Sequence, residues 1–175
     1  MPKKAKRGIN IPQATQITYS LNTIKTTNNR HTEQTTLKKA IYLIKIRNRI
    51  FITRDQSPSK ALKGTYHSII NNIIHGINKR FKKTLIIEGI GFSAQKIHNL
   101  LEIKIGFTHP RYIPLNHHIK CQIIATKKII LKSTNNILLG NICKQIQALR
   151  KYNAYKNKGI REAHEIPIQK KRTKK

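Results

Sequence analysis

Acidic residues are scarce in this chain of 175 residues, which has 6 Asp and Glu against 36 Lys and Arg and a formal net charge of +30. Such an imbalance causes self-repulsion in the folded state, so we expect a permanent anionic partner that relieves it. Most RNA chemistry in enzymes needs paired carboxylates or a metal cluster. The acids are scattered along the sequence, which argues against an enzyme. They are Glu33, Asp55, Glu88, Glu102, Glu162 and Glu165.

Cysteines and long apolar runs are also few. The two cysteines, Cys121 and Cys143, do not make the disulfide framework of a secreted protein. The basic start of the chain lacks the apolar segment of a secretory signal, and no apolar run approaches the roughly 20 residues that span a membrane. Nucleic acid is therefore the favoured anionic partner, and an anionic membrane surface is the weaker alternative.

Valine and tryptophan are absent, whereas Ile, Asn and Lys are abundant. This composition is typical of a strongly A+T-rich coding sequence. Since Ile replaces Val readily in β-strands, the bias need not weaken the fold.

Apolar periodicity predicts the elements of the first half. Alternation predicts strands from about residue 16 to 54, with Arg47-Asn48-Arg49 as a hairpin turn in which Asn48 takes positive φ. Residues 26–34 are expected to form a polar loop. Beyond a break at 55–59, apolar residues recur at steps of three and four from Leu62 to Phe81. This spacing predicts an amphipathic helix of about 20 residues with cations in its last turn.

A second series of strands begins at Leu85 and precedes another helical pattern from Leu138 to Leu149. The two helices overlay at a constant shift, so we predict an α+β fold of two tandem similar small domains, each an antiparallel sheet packed against one helix. The predicted boundaries are a basic arm at 1–14, α+β domains at 15–82 and 83–152, and a basic RNA-binding tail at 153–175.

The segment from Arg150 onward combines tyrosines, lysines and one glycine, and it has too few apolar residues for a packed core. Aromatic faces stack on bases, and Lys ammonium groups bind phosphates. Lys156 and Lys158 share one side of an extended strand, and Gly159 lets a backbone N–H approach a phosphate closely. The alternative is a solvated basic tail that contacts nothing.

Three other patterns suggest chemistry only weakly. His117-His118 with Cys121 resembles part of a metal site, but structural zinc takes four ligands in paired spacing, so we expect a core thiol. Gly89-x-Gly91 is half of a dinucleotide fingerprint and is interpreted as a strand bulge. His109 before Pro110 is interpreted as a turn residue. We predict no metal and no cofactor.

Several motifs resemble, in order and spacing, those of ribosomal protein six of the large subunit, bacterial type. The main ones are Gly89-Ile90-Gly91-Phe92-Ser93-Ala94, Gly106-Phe107-Thr108-His109-Pro110 and Tyr155-Lys156-Asn157-Lys158-Gly159-Ile160-Arg161. Asn71-Asn72-Ile73 and the basic start from Lys4 to Pro12 also match, so the resemblance covers nearly the whole chain. The sequence departs from the family at Asn157, which tolerates the left-handed conformation, and at Tyr152, where the family has Pro or Ser.

The resemblance implies two tandem copies of a small domain and a structural role without catalysis. It implies binding of large-subunit rRNA near the sarcin–ricin loop and the stalk base, where translation GTPase factors dock, among neighbouring ribosomal proteins. We expect no homo-oligomer and no membrane span. The Gly106–Pro110 motif either faces RNA or closes a turn. The expected RNA-binding residues are Tyr155, Lys156, Lys158, Gly159, Arg161, Lys170, Lys171 and Arg172.

Two other function classes stay open on the sequence alone. One is a DNA-compacting architectural protein, and the other is an RNA-modifying enzyme that uses an acid such as Glu88. As to location, the family-like region starts within a few residues of Met1 and leaves no room for a transit peptide. With the A+T-rich bias, this predicts an organelle-encoded ribosomal protein, mitochondrial rather than plastid, apicoplast or bacterial.

Overall fold

The computed structural model describes residues 7–13, 15–20, 23–28, 31–36, 41–54 and 60–171. The chain divides into two compact units, Met1–Arg80 (unit 1) and Phe81–Lys175 (unit 2). The described residues of each unit form antiparallel sheets and one α-helix, so the predicted α+β fold is confirmed. Among the described residues, no helix combines the length and the apolar character needed to cross a membrane.

Unit 1 builds two three-stranded sheets and one helix from its described residues. The elements are β1 (Ile9–Asn10), β2 (Thr15–Ser20), β3 (Thr23–Asn28), β4 (His31–Thr36), β5 (Ile41–Ile46), β6 (Arg49–Arg54) and α1 (Lys60–Asn78). Strands β2, β3 and β4 form an antiparallel meander, and the β5–β6 hairpin joins β1 in the order β1-β6-β5.

Unit 2 has a meander, a four-stranded sheet and one helix. The elements are β7 (Phe81–Glu88), β8 (Ser93–Ile97), β9 (Leu100–Lys104), β10 (Arg111–Pro114), β11 (Ile119–Ile124), β12 (Lys128–Ser133), α2 (Asn136–Leu149) and β13 (Gly159–Glu162). Strands β8, β9 and β10 form the meander, and the larger sheet has the order β11-β12-β7-β13.

The two units repeat one order of elements: a first strand, a three-stranded meander, a hairpin and a helix. In both, the first strand pairs with the second strand of the hairpin, as Ile9 does with Ile50 and Leu85 with Ile129. The overlaid helix positions also agree in burial, since Ile70 and Ile146 are both buried. The predicted similarity of the halves is therefore confirmed. Strand β13 has no counterpart in the described part of unit 1.

Each unit has its own apolar core, because strand alternation and helical spacing bring one face of each element together. The core of unit 1 consists of Ile9, Ile11, Ile24, Ile50, Ile52, Ile70 and Ile74. In unit 2, α2 packs Leu139, Cys143 and Ile146 against Leu85, Ile129 and Leu131 of the four-stranded sheet, and the meander adds Leu101 and Ile103. The core of unit 2 holds β7, the strand with which β13 of the C-terminal segment pairs.

Two predictions for unit 1 are wrong, and both concern segments with little apolar character. The expected polar loop at 26–34 lies largely in the paired strands β3 and β4. Ile24 and Thr26 alternate inward, and Thr, being β-branched, suits a strand. In the two-residue turn between β5 and β6, Arg47 rather than Asn48 has positive φ, at 49°. The predicted break at 55–59 lies outside the described residues.

The expected basic arm and the expected end of the first helix also differ from the structure. Ile9 and Ile11 are buried in the core of unit 1, because β1 pairs with β6 and the backbone N–H of Ile11 donates to the carbonyl of Asn48 at 2.8 Å. Helix α1 ends at Asn78, and Phe81 begins β7, where Leu85 and Ile87 alternate toward the core. The cations at 82 and 83 therefore lie in a strand, not in the last helical turn.

Two predictions for unit 2 are also wrong. Gly89 to Gly91 forms the turn between β7 and β8 instead of a strand bulge. Gly159–Glu162, expected in the tail, forms β13, and Ile160 pairs with Ile87 and is only 2% exposed. This part of the basic segment therefore contributes to the packed interior, because the side chains of Ile160 and Glu162 alternate toward it.

The start of α2 provides a test of local stability. The side-chain Oδ1 of Asn135 accepts hydrogen bonds from the backbone N–H of Ile137 at 2.9 Å and of Leu138 at 3.3 Å. Asn135→Ala should lower the free energy of unfolding by about 1 kcal/mol, because these N–H groups lose their acceptor. The control is Asn136→Ala, in the first helical turn, which should cause no loss. Urea unfolding followed by circular dichroism measures both; equal values would contradict the capping role.

Candidate nucleic-acid interface

The Tyr155–Gly159 motif forms a tight loop that is organised by Asn153. The Oδ1 atom of Asn153 accepts hydrogen bonds from the backbone N–H of Tyr155 at 2.9 Å and of Lys156 at 3.1 Å. Its backbone N–H donates to the carbonyl of Lys158 at 2.9 Å, and its carbonyl accepts from the N–H of Asn157 at 2.9 Å. The loop backbone is thus fixed from within, while the side chains of Tyr155 and Lys156 are exposed.

The two departures from the family pattern contact each other. Asn157 has a φ of 50°, so the prediction that Asn supports a left-handed conformation here is confirmed. The hydroxyl of Tyr152 donates to Oδ1 of Asn157 at 3.2 Å and closes the base of the loop. Tyr152 therefore restrains the loop by a hydrogen bond, where a proline would restrain its own backbone.

Gly159 is needed for chain packing inside unit 2. Its φ is +138°, and a Cβ atom on it would lie 2.6 Å from Cα of Tyr152 and 2.7 Å from the carbonyl oxygen of Lys151. The residue is buried, and the neighbouring N–H of Ile160 donates to the carbonyl of Arg150 at 3.0 Å. The glycine thus permits one backbone segment to cross another, which differs from the expected close approach to a phosphate.

Arg161 has partners within the protein. Its Nε and Nη2 donate to Oε1 of Glu88 at 2.9 and 2.6 Å, and its Nη1 donates to the backbone carbonyl of Glu165 at 3.0 Å. The guanidinium therefore joins β13 to β7 and lies against the sheet, whereas the sequence motif suggested that it faces RNA. The same ion pair occupies Glu88, the acid named in the enzyme alternative.

Glu162 binds lysines on the other face of β13. Its Oε1 lies 3.1 Å from Nζ of Lys83 and 3.4 Å from Nζ of Lys144, and the residue is 4% exposed. Burial raises the pKa of Glu162, but the hydrogen bonds and charges of the two lysines outweigh it and hold the pKa below its ordinary value. Its backbone N–H donates to Oε2 of Glu165 at 3.0 Å. Ion pairs therefore hold β13 in place on both of its faces.

A cleft of about 620 Å³ lies between the loop and the Gly89–Gly91 turn. Lys127, Lys156 and Lys158 line it, and Glu88, which also lines it, is bound by Arg161. Since that carboxylate is paired, the cleft is strongly positive. It brings together two of the motifs that carry the family resemblance.

The cleft also contains two residues that the sequence did not predict as part of a site. Lys127 precedes β12 and lines the cleft, and Ile90, at the tip of the turn, is 88% exposed. An apolar residue between two glycines is the sequence signal of such an exposed tip. Nothing in the local sequence around Lys127 distinguishes it from other lysines, because its position depends on the pairing of β7 with β12.

The end of the described chain returns to the loop. The backbone N–H of Lys170 donates to the carbonyl of Ala154 at 3.2 Å, which places Lys170 beside Tyr155. Lys170 and Lys171 are exposed, and the ring of Tyr155 is 58% exposed. Arg172 lies outside the described residues. Of the predicted residues, the structure therefore groups Tyr155, Lys156, Lys158 and Lys170, and it gives Gly159 and Arg161 structural roles.

The Gly106–Pro110 motif closes the connection between β9 and β10. The ring of Phe107 lies 5.2 Å from the guanidinium of Arg111 and 5.6 Å from that of Arg150. Arg150 also lies 5.3 Å from the ring of Phe92, and its Nη1 donates to the carbonyl of Ile105 at 2.9 Å. These cation–π contacts fix the turn to the start of the C-terminal segment.

Burial is the dominant effect on the pKa of both cysteines, and it outweighs the charges of the nearby lysines. Burial raises the pKa of the Cys143 thiol to about 11, and burial also raises the pKa of Cys121. Both thiols are therefore protonated near neutral pH. In the part of the chain that the structure describes, no group of three or more His, Cys, Asp or Glu side chains is placed to hold a metal ion.

The chain is similar to bacterial proteins named large ribosomal subunit protein uL6. It is 33% identical to the protein of Teredinibacter turnerae over 126 residues, which are 71% of each chain. The identity to the Geotalea daltonii protein is 27% over 172 residues, or 97% of this chain and 96% of the relative. For the Karelsulcia muelleri protein it is 40% over 116 residues, 64% of each chain. No protein-family model matches the chain.

Gly159→Ala tests the crossing at the base of the loop. It should lower the free energy of unfolding by about 1–3 kcal/mol, because the new Cβ meets backbone atoms and the φ disfavours any residue but glycine. Gly140→Ala is the matched control, since its added Cβ has no atom within 4 Å other than those of its chain neighbours and its own helix backbone, and Ala favours a helix. It should instead raise stability, by about 0.5–1 kcal/mol. A tolerated Gly159→Ala, measured by urea unfolding, would contradict the packing role.

The ion pairs of Glu162 predict a pH dependence of stability. A lowered pKa in the folded state stabilises the protein at pH values above the unfolded carboxyl pKa, and this contribution is lost as pH falls through the folded pKa. Glu162→Gln should therefore lower the free energy of unfolding by about 1–3 kcal/mol at neutral pH. The deficit should shrink below about pH 4.3. Urea unfolding of both proteins at pH 7 and pH 3 measures this, and a deficit that does not change with pH would refute it.

Proposed function

The chain belongs to the large ribosomal subunit protein uL6 family, and from this premise we propose that it binds large-subunit rRNA near the sarcin–ricin loop and the stalk base. Its role in the subunit is structural, and it is not an enzyme. The observation that carries the proposal is the fixed loop at residues 153–159 beside a cleft lined by lysines. Because the loop backbone is already ordered, binding costs little conformational entropy.

Each exposed residue of the interface has a separate part in this proposal. Tyr155 stacks on a base or binds a ribose hydroxyl. Lys156, Lys158 and Lys127 contact phosphates around the cleft, and Lys170 extends the contact. The proposal also includes Lys171 and Arg172 from the terminal run of cations. Gly159 and Arg161 contribute indirectly, because they hold the loop in place.

Binding of this kind is mainly electrostatic, so it weakens steeply with salt. The logarithm of the affinity falls by roughly 0.7–0.9 per phosphate neutralised for each unit of log salt. Specificity comes from the shape of the folded RNA, because base edges in RNA helices are hidden from side chains. A rigid cationic loop is suited to this mode, since it fits only an RNA surface with matching phosphate positions.

The proposed position in the subunit also includes neighbours. By family resemblance, other large-subunit proteins adjoin this one, and translation GTPase factors dock nearby. Crosslinking of Lys156, Lys158 and Lys170 to the cognate rRNA tests the position. Crosslinks around the sarcin–ricin loop support it, and crosslinks confined to a distant domain of the rRNA contradict it.

The proposed compartment is the mitochondrial ribosome. The support is the composition, which lacks Val and Trp and is rich in Ile, Asn and Lys, as expected for an A+T-rich genome. Quantification of the protein in purified mitochondrial, plastid and cytosolic large subunits tests this part. Recovery only with plastid or bacterial-type cytosolic subunits would contradict the compartment without affecting the proposed RNA contact.

A DNA-compacting architectural protein is the second candidate, favoured only by the charge of +30. Such a protein should bind duplex DNA as tightly as folded rRNA. A competition between the two nucleic acids at one salt concentration separates the candidates. The fixed loop favours the rRNA-binding function, because charge alone does not require an ordered loop.

Lys156→Gln with Lys158→Gln tests the proposed contact. The double variant should fold normally, because the loop is held by backbone and Asn153 hydrogen bonds. Its affinity for a transcript of the cognate large-subunit rRNA should fall, and the slope of log K against log salt should decrease by about 1.4–1.8 for the two lost phosphate contacts. The control is Lys25→Gln with Lys45→Gln, which removes the same charge from exposed positions in unit 1. Equal behaviour of the two double variants would contradict the proposal.

A further inference from the structure

Three lysines form a row across the four-stranded sheet of unit 2. The strand register pairs Lys120 on β11 with Lys132 on β12, and Lys132 with Lys82 on β7. Directly paired residues of antiparallel strands project from the same face of a sheet, so these three side chains point the same way. All three are exposed. The row, which we term the lysine ladder, spans two strand spacings, or about 10 Å.

The ladder lies on the face that α2 does not cover. Its sequence neighbours point to the opposite face, because side chains alternate along a strand. On that opposite face, Leu85, Ile129 and Leu131 pack with the buried residues of α2, among them Leu139 and Cys143. The ladder is therefore separate from the core of unit 2. It is also separate from the cleft, whose lining contains none of the three lysines.

The ladder is unfavourable for the folded chain alone. Like charges directly opposite each other on neighbouring strands destabilise a sheet. Across the described residues, no ion pair joins Lys82, Lys120 or Lys132 to a carboxylate. Glu88, which lies on the same face of β7, is bound by Arg161. The ladder thus lacks a counterion within the described chain.

Unit 1 provides an internal comparison. The face of its β1-β6-β5 sheet that lies opposite the buried Ile50 and Ile52 carries Tyr42, Ile44 and Ile46 on β5, which pair with Thr53, Phe51 and Arg49 on β6. Arg49 is the one cation among these six residues, so the same order of strands forms this face without a row of lysines. Among the described residues, the ladder therefore occurs in unit 2 and not in the corresponding sheet of unit 1.

We propose that the lysine ladder is a second RNA-binding surface, at which the three ammonium groups bind phosphates of one RNA segment lying across the strands. This inference rests on the proposed function, because it takes the same rRNA as the partner. Phosphates would supply the counterions that the described chain lacks and would relieve the repulsion within the row. Lysines act as mobile point charges, so this surface adds affinity and orientation without reading bases.

The test replaces all three lysines: Lys82→Gln, Lys120→Gln and Lys132→Gln. The matched control replaces Lys25, Lys45 and Lys96 with Gln, which removes equal charge from exposed positions outside the ladder. Affinity for a transcript of the cognate large-subunit rRNA is measured over a range of salt concentrations. The ladder variant should reduce the slope of log K against log salt by about 2.1–2.7, that is, 0.7–0.9 for each of three phosphates. The control should reduce it by much less.

Two further measurements separate lost binding from lost folding. The unfolding midpoint of the ladder variant should stay unchanged or rise, because repulsion within the row is removed. A second variant, with Arg in place of each of the three lysines, keeps the charge and should keep the salt slope. Loss of binding by the arginine variant with a normal midpoint would overturn the proposal.

Other results separate a failure of the ladder proposal from a failure of the proposed function. If the ladder variant and the control have the same salt slope, the ladder is not an RNA-binding surface. If wild type binds phosphatidylserine vesicles, and the ladder variant loses only that binding, the surface recognises lipid and the inference fails. If wild type does not bind the transcript, or the Lys156 and Lys158 variant binds normally, the proposed function fails instead. Normal loop dependence with an unaffected ladder variant overturns the ladder alone.

Discussion

The position of the loop at residues 153–159 depends on the ion pairs that hold β13 on the sheet. Arg161 binds Glu88 on one face of the strand, and Glu162 binds Lys83 and Lys144 on the other. Glu165 adds a third carboxylate, which accepts the backbone N–H of Glu162. Three of the six acidic residues thus hold one short segment. Because these few acids act as internal counterions, the segment that follows the loop has a fixed path.

This arrangement divides the cations into two groups. Those with a carboxylate partner, such as Arg161 and Lys83, stabilise the fold. Lys156 and Lys127 line the cleft, where the one carboxylate among the lining residues, that of Glu88, is paired with Arg161. The cations of one basic sequence motif can therefore have different roles. The partner of each cation in the fold decides its role.

Much of the fold could be predicted from periodicity, because α2, most strands and the repeated order of elements follow from local apolar patterns. The polar hairpin of β3 and β4 was missed, since threonine at inward positions carries no apolar signal. At the site, the left-handed Asn157 was predictable from its residue type. The contact of Arg161 with Glu88 was not, because the two are 73 residues apart and meet only through the pairing of β13 with β7.

The outer face of the β5–β6 hairpin affects the solubility of the free protein. Tyr42, Ile44 and Ile46 are 47%, 46% and 55% exposed on a strand at the edge of its sheet. Apolar residues on an open edge strand promote aggregation of free copies. The free protein should therefore become less soluble as its concentration rises.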